Sequence, residues 1–155
     1  MCLTKKLFLG AIISILSLFH FSISAFADEE TYFIITAYYS PLRWQAEYLH
    51  GSFESEVYVN GEGTHGASGK AVFEGMLAAP KKYPFGTKIY FEGFWVAEVQ
   101  DRGGAIVSAG NRWNEYDRID IWMGYGDTGR KRAIWWGKRT VKWKLISWDT
   151  GNTLK

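Results

Sequence analysis

Two aspartates stand inside apolar, strand-like sequence, where a carboxylate needs a reason to be. Asp101 closes the run Trp95-Val96-Ala97-Glu98-Val99-Gln100, and Asp120 lies within Ile119-Asp120-Ile121-Trp122. An unpaired buried charge is costly. Such a group is therefore either a turn cap or salt-bridge partner, with Arg102 and Arg118 at hand, or an acid held in a cleft with a raised proton affinity. A carboxyl group of the second kind can protonate a leaving oxygen and then take a proton back. One aspartate alone would favour the structural account. Two of them on separate segments, the first followed by Gly103-Gly104, favour a shared acid/base site. Asp120 has the better surroundings for a raised pKa, between Ile119 and Ile121-Trp122, because burial beside apolar groups disfavours the charged form. Asp101-Arg102-Gly103-Gly104 is also good turn chemistry, and the two glycines supply backbone freedom and close approach. Asp117, three residues before Asp120, is expected to stay solvated at the strand's start.

Other chemistries find little to work with. His50 and His65 are isolated and read as surface loop residues, with no metal-ligand spacing near them. Gly61, Gly63, Gly66 and Gly69 lack the strand-then-helix setting of a phosphate loop, and no nucleophile elbow is present. No cofactor and no metal are expected. The segment from Arg130 to Lys144 carries seven basic residues and no acid. It reads as a solvated face or as a surface for anionic polymers.

The elements that must position the aspartates are short. Tyr32 to Tyr39, Met76 to Ala79, Thr87 to Phe91, Trp95 to Gln100 and Arg118 to Met123 are predicted strands, with Glu92-Gly93 as a turn. Thr128 to Trp136 is predicted as the one short helix, capped by Asp127 or Thr128. Thr140 to Trp148 alternates as a half-buried, edge-like strand. Residues 42–70 read as a long early loop excursion, in which Ser55 to Asn60 could form a hairpin arm turning at Asn60-Gly61. Many short strands and one helix suggest a mainly-β domain closed into a small barrel.

Ahead of this domain, Lys5-Lys6, the apolar run Leu7 to Phe21 and Ala25-Phe26-Ala27 follow the order of a secretory signal peptide. Residues 1–27 are therefore expected to be a leader and 28–155 one domain. The single cysteine, Cys2, lies in the leader, so the domain must rely on its own core without disulfides. The chain has 18 Lys and Arg against 16 Asp and Glu. Two of those lysines belong to the leader, so the remainder is about neutral and no nucleic-acid partner is indicated.

The same residues carry a family resemblance. Asp101-x-Gly103-Gly104-Ala105-Ile106, then Arg118-Ile119-Asp120-Ile121-x-x-Gly124, resembles the three-aspartate (3D) domain. That domain is shared by membrane-bound lytic transglycosylase A and by secreted cell-wall proteins of the stationary-phase survival type. Thr36-Ala37-Tyr38-Tyr39 is similar to its opening strand, and Pro84-Phe85-Gly86-Thr87-Lys88-Ile89-Tyr90 to its Pro-x-Gly-Thr-x-x-Tyr segment. The resemblance spans about residues 33–147. The family's first aspartate corresponds here to Ala79, and the loop between the other two is longer.

The resemblance implies a six-stranded double-psi β-barrel with its aspartates facing one end. It implies an exported peptidoglycan lytic transglycosylase of cell-wall turnover. Such an enzyme cuts the N-acetylmuramic acid to N-acetylglucosamine bond without water and leaves a 1,6-anhydro product. Asp120 would be its catalytic acid, with Asp101 orienting substrate. Trp44, Tyr39, Gly103, Gly104 and Thr87 would meet the glycan strand, and the Arg130 to Lys144 segment would meet anionic wall polymers. The location implied is extracellular, periplasmic, or associated with the cell wall or outer membrane. Two alternatives stay open: a non-catalytic wall-binding module similar to expansin-like and rare lipoprotein A barrels, and a hydrolytic glycosidase using both carboxylates.

Overall fold

A computed structural model describes residues 31–61, 63–93 and 95–147, with residues 145–147 described by their backbone alone. The expected leader and the expected strand end at Trp148 lie outside the described residues. Six strands and two helices follow in the order β1 (Tyr32–Ser40), α1 (Phe53–Asn60), β2 (Met76–Ala78), β3 (Lys88–Phe91), β4 (Val96–Asp101), β5 (Asp117–Tyr125), α2 (Gly126–Trp136) and β6 (Arg139–Ser147). The strands close into a barrel in the order β1-β5-β2-β4-β3-β6. The expected small six-stranded barrel is present.

Two pairs, β1 with β5 and β2 with β4, are parallel, and the rest are antiparallel. Parallel neighbours need long crossovers, and here each is made through other strands: β2, β3 and β4 lie between β1 and β5 in sequence, and β3 lies between β2 and β4. The barrel interior is filled by Phe33, Ile35, Leu77, Ile89, Val99, Ile119 and Ile121, all nearly or wholly buried. Phe33 stacks on Trp143 at 4.3 Å and meets Tyr83 edge-on at 5.5 Å between ring centres. A second cluster of Tyr38, Met76, Ala78, Ile106 and Trp122 lies on the other face of the sheet.

Three sequence expectations need correction. First, Ser55 to Asn60 is not a hairpin arm. It belongs to a helix, capped by the Ser52 hydroxyl accepting from the Ser55 amide at 3.1 Å and closed by Gly61 at φ 73°. The run Val57-Tyr58-Val59 has strand propensity, but the wholly buried Glu56 holds the helix in place. Its carboxylate accepts from the His50 amide at 2.8 Å and lies 3.0 Å from His50 Nδ1 and 3.2 Å from Asn60 Nδ2. Second, α2 starts at Gly126 without a side-chain cap. Asp127 instead accepts from the amides of Ala46 and Glu47 at 2.8 and 3.2 Å, pinning the early loop to the helix. Third, β6 is no edge, because it pairs with both β1 and β3. Closure removes the edge that its alternation suggested.

Candidate active site

One row of residues crosses four neighbouring strands: Asp101 on β4, Ala78 on β2, Asp120 on β5 and Thr36 on β1. Residues directly opposite one another project from the same face. Ala78 separates the two aspartates, so their backbones lie two strand spacings apart, about 10 Å, with only a methyl group between.

This alignment depends on an irregularity. Leu77 pairs with Val99 but Ala78 pairs with Asp101, so Gln100 is an extra residue in β4. Val99 faces the barrel core. Under strict alternation Gln100 would face outward and Asp101 inward, into apolar packing. The bulge turns Asp101 to the face of Ala78 and Asp120 instead, as bulges beside active sites commonly do.

The two carboxylates then have different surroundings. Asp101 accepts three hydrogen bonds: from the Tyr38 hydroxyl at 2.9 Å, the Ala67 amide at 2.8 Å and its own neighbour's Arg102 amide at 2.8 Å. Asp120 receives one hydroxyl, from Thr36, which in turn accepts from Arg118 Nε and Nη2 at 3.3 Å each. Burial pushes the Asp120 carboxyl above its usual value; Thr36 and the Arg118 charge pull it back in part, and the Asp101 charge adds to the rise. The Tyr38 phenol is pushed far up by burial and by Asp101, so it remains a proton donor in its hydrogen bond. A carboxyl whose burial favours the proton, with a second carboxyl fixed by hydrogen bonds on the same face, is an arrangement that can supply an acid.

Both aspartates open into a cleft of about 360 Å³, within the range of small-molecule sites. Gly103, Gly104 and Ile106 line one part of it, and Asn60, His65 and Ala67 another. The wall at residues 59–61 and 63–67 comes from the end of α1 and the loop after it. Gly66 fits there because it lacks a side chain: a Cβ would lie 2.4 Å from the Gln100 carbonyl oxygen.

No family model matches the chain, and no curated protein matches it. Among solved structures, MltA from E. coli is similar at 22% identity and a TM-score of 0.36, over 52% of this chain and 27% of that one. The aligned part is thus little more than a quarter of that protein.

Of the residues singled out in the sequence, Asp101, Asp120, Gly103 and Gly104 meet at the cleft. Thr87 does not: it is wholly buried, its hydroxyl donating to the Pro84 carbonyl at 2.7 Å. Tyr39 is buried on the α1 side, where its hydroxyl accepts from Gln45 at 3.1 Å and burial holds its pKa up to about 12. Trp44 is 90% exposed, in a separate groove with Tyr125 and Asp127. Asp117 is buried rather than solvated. Tyr83 and the Ala109 amide donate to it, the latter at 2.8 Å, and Lys82 pairs with it at 2.7 Å.

Arg102 does not pair with the Asp101 carboxylate. Its guanidinium donates to the carbonyls of Ala79 and Tyr83 at 3.0 and 2.8 Å and lies over Phe85. Ala79 belongs to the barrel core and faces away from this cleft.

Sequence reasoning missed Thr36, Asn60 and His65 as neighbours of the site; Arg118, named as a possible partner of the aspartates, reaches Asp120 through Thr36. Thr36 carried a signal, since it opens the first strand of the resemblance and polar residues inside strands ask for a partner. His50 is not isolated, being paired with Glu56. Among the described residues, no group of three His, Cys, Asp or Glu side chains is placed to hold a metal ion.

Proposed function

We propose that the chain is an exported peptidoglycan lytic transglycosylase in which Asp120 is the general acid and base. The observation that carries this reading is the pair of carboxylates facing one cleft across Ala78, with Asp120 held towards its protonated form by burial. The Asp-x-Gly-Gly-Ala-Ile and Arg-Ile-Asp-Ile segments that resemble the three-aspartate domain supply those same two residues.

In this mechanism the Asp120 carboxyl gives its proton to the glycosidic oxygen as the bond to C1 of the N-acetylmuramic acid breaks. The 6-hydroxyl of the same sugar attacks C1 and forms the 1,6-anhydro ring. Its proton passes to the Asp120 carboxylate, which restores the acid. No second carboxylate has to activate water, because the nucleophile is part of the substrate and already near. Asp101, fixed by three donors, faces the sugar ring where positive charge develops and holds the 63–70 wall in place through Ala67.

Purified peptidoglycan incubated with the protein and read by mass spectrometry tests the reading. Release of 1,6-anhydro muropeptides is expected, and Asp120→Asn should lower it by about 100- to 10,000-fold. Full activity in Asp120→Asn would end the assignment. Products with a free reducing end would instead mean a hydrolytic glycosidase. The three hydrogen bonds that fix Asp101 in the fold also suit a non-catalytic wall-binding module, and binding without any cleavage would favour that second reading.

A further inference from the structure

A groove of about 700 Å³ opens where β2 and β4 begin, away from the strand ends that carry Ala78 and Asp101. Aromatic side chains line it from both sides, Trp135 and Trp136 from α2 and Trp95 from the approach to β4. Trp135 is 74% exposed and Val96 48%. Exposed apolar surface of this kind marks an interaction site when it is contiguous and held in place. It is held here. The Arg139 guanidinium lies 4.7 Å from the Trp135 ring centre and 4.4 Å from that of Trp136, and it donates to the Trp136 carbonyl at 3.0 Å. A cation against the indole costs little ordering on binding, because the ring is already fixed.

The charge around the groove identifies its occupant. Arg132 lines it and has no ion-pair partner among the described residues, and no acid occurs between Thr128 and Ser147. Among the described residues, Glu74 is the only acid in the lining, suited to accepting from hydroxyl groups. A fixed, exposed indole offers a flat π face for the C–H face of a pyranose ring, and an unpaired guanidinium binds a carboxylate with two parallel donors. A bilayer would meet a flat or convex face, whereas this surface is concave and carries Glu74 within it.

We propose that this groove is a second saccharide-binding site that takes a carboxylate-bearing pyranose chain, with Trp135 as the stacking platform and Arg132 as the partner of the carboxylate. The site is independent of the chemistry at Asp101 and Asp120.

Calorimetric titration of the folded protein tests it, using hyaluronan hexasaccharide as the acidic probe and chitohexaose as the neutral one. Inorganic polyphosphate and phosphatidylglycerol vesicles serve as controls. The acidic oligosaccharide should bind more tightly than the neutral one. Trp135→Ala, exposed and so compatible with the fold, should weaken both by about tenfold. Arg132→Gln should abolish the preference for the acidic probe. Asp120→Asn should leave both affinities unchanged, so the groove stands or falls apart from the cleavage reaction. Unaltered affinity in Trp135→Ala would overturn the proposal. So would polyphosphate binding as tight as the saccharide, which means a charge-only surface, or Trp135-dependent binding to vesicles alone, which means a lipid surface.

Discussion

Asp120, Asp101 and Asp117 are three carboxylates with three different fates, and pH separates two of them. Asp120 has its proton affinity raised, so the folded chain keeps a proton that the unfolded chain gives up near the ordinary aspartate pKa of about 4. Its contribution to stability is full below that value and is lost as pH rises through the folded pKa. Asp120→Asn cannot ionise, so it should raise the melting temperature at pH 7 and lose that advantage near pH 3. Asp117 is the opposite case. Burial alone would raise its pKa, but Lys82, Tyr83 and the Ala109 amide together hold the carboxyl below its usual value. Its stabilisation is present above the unfolded pKa and is lost as pH falls through the folded one. Asp117→Asn should cost about 1–3 kcal/mol at pH 7, with the loss shrinking in acid. Melting curves of both variants at the two pH values check these signs, and curves displaced equally at both would refute them. Asp101 and Asp120 were legible because a charge in an apolar run is visible in the sequence. Asp117 was misread because Lys82 and Tyr83 approach it from a remote loop.

At the scale of elements, the strands were legible to within a residue or two and α1 was not. Strands announce themselves by β-branched and aromatic alternation, whereas α1 has no apolar stripe and is tied down by Glu56. Its cue was the Ser52 cap followed by Glu54 and Glu56 in the first turn. The loop after α1 closes one wall of the cleft by pressing on the bulged part of β4. Ser68 donates to the Gln100 carbonyl at 3.1 Å and Ala67 to Asp101. Gly66→Ala places a methyl group against that carbonyl and should lift the loop, at about 1–3 kcal/mol. Hydrogen exchange at the Ala67 and Ser68 amides should speed up while exchange in β5 stays slow. Unchanged protection at both amides would mean that the loop is held by something other than this contact.

For the whole molecule, closure relies on partners distant in sequence. Ile35 pairs with Ile119 and with Arg139, so the first strand cannot be completed until most of the domain is present. Non-local pairing of this kind slows folding into the millisecond-to-second range. Stopped-flow refolding of the domain should fall there, and complete refolding within microseconds would contradict the topology. The barrel class was legible from strand count and spacing. The strand order was implied only by the resemblance, because alternation reports which face is buried and says nothing about neighbours.

The spare residue in β4 has one more consequence. Which group faces Ala78 is decided by whether the count from Val99 is odd or even. If the strand were drawn straight, Gln100 and Arg102 would take that side and Asp101 would turn away, so an amide and a guanidinium would replace a carboxylate. The sign of the charge offered at the cleft is therefore a matter of parity, set by one spare residue as much as by the identity of the side chains.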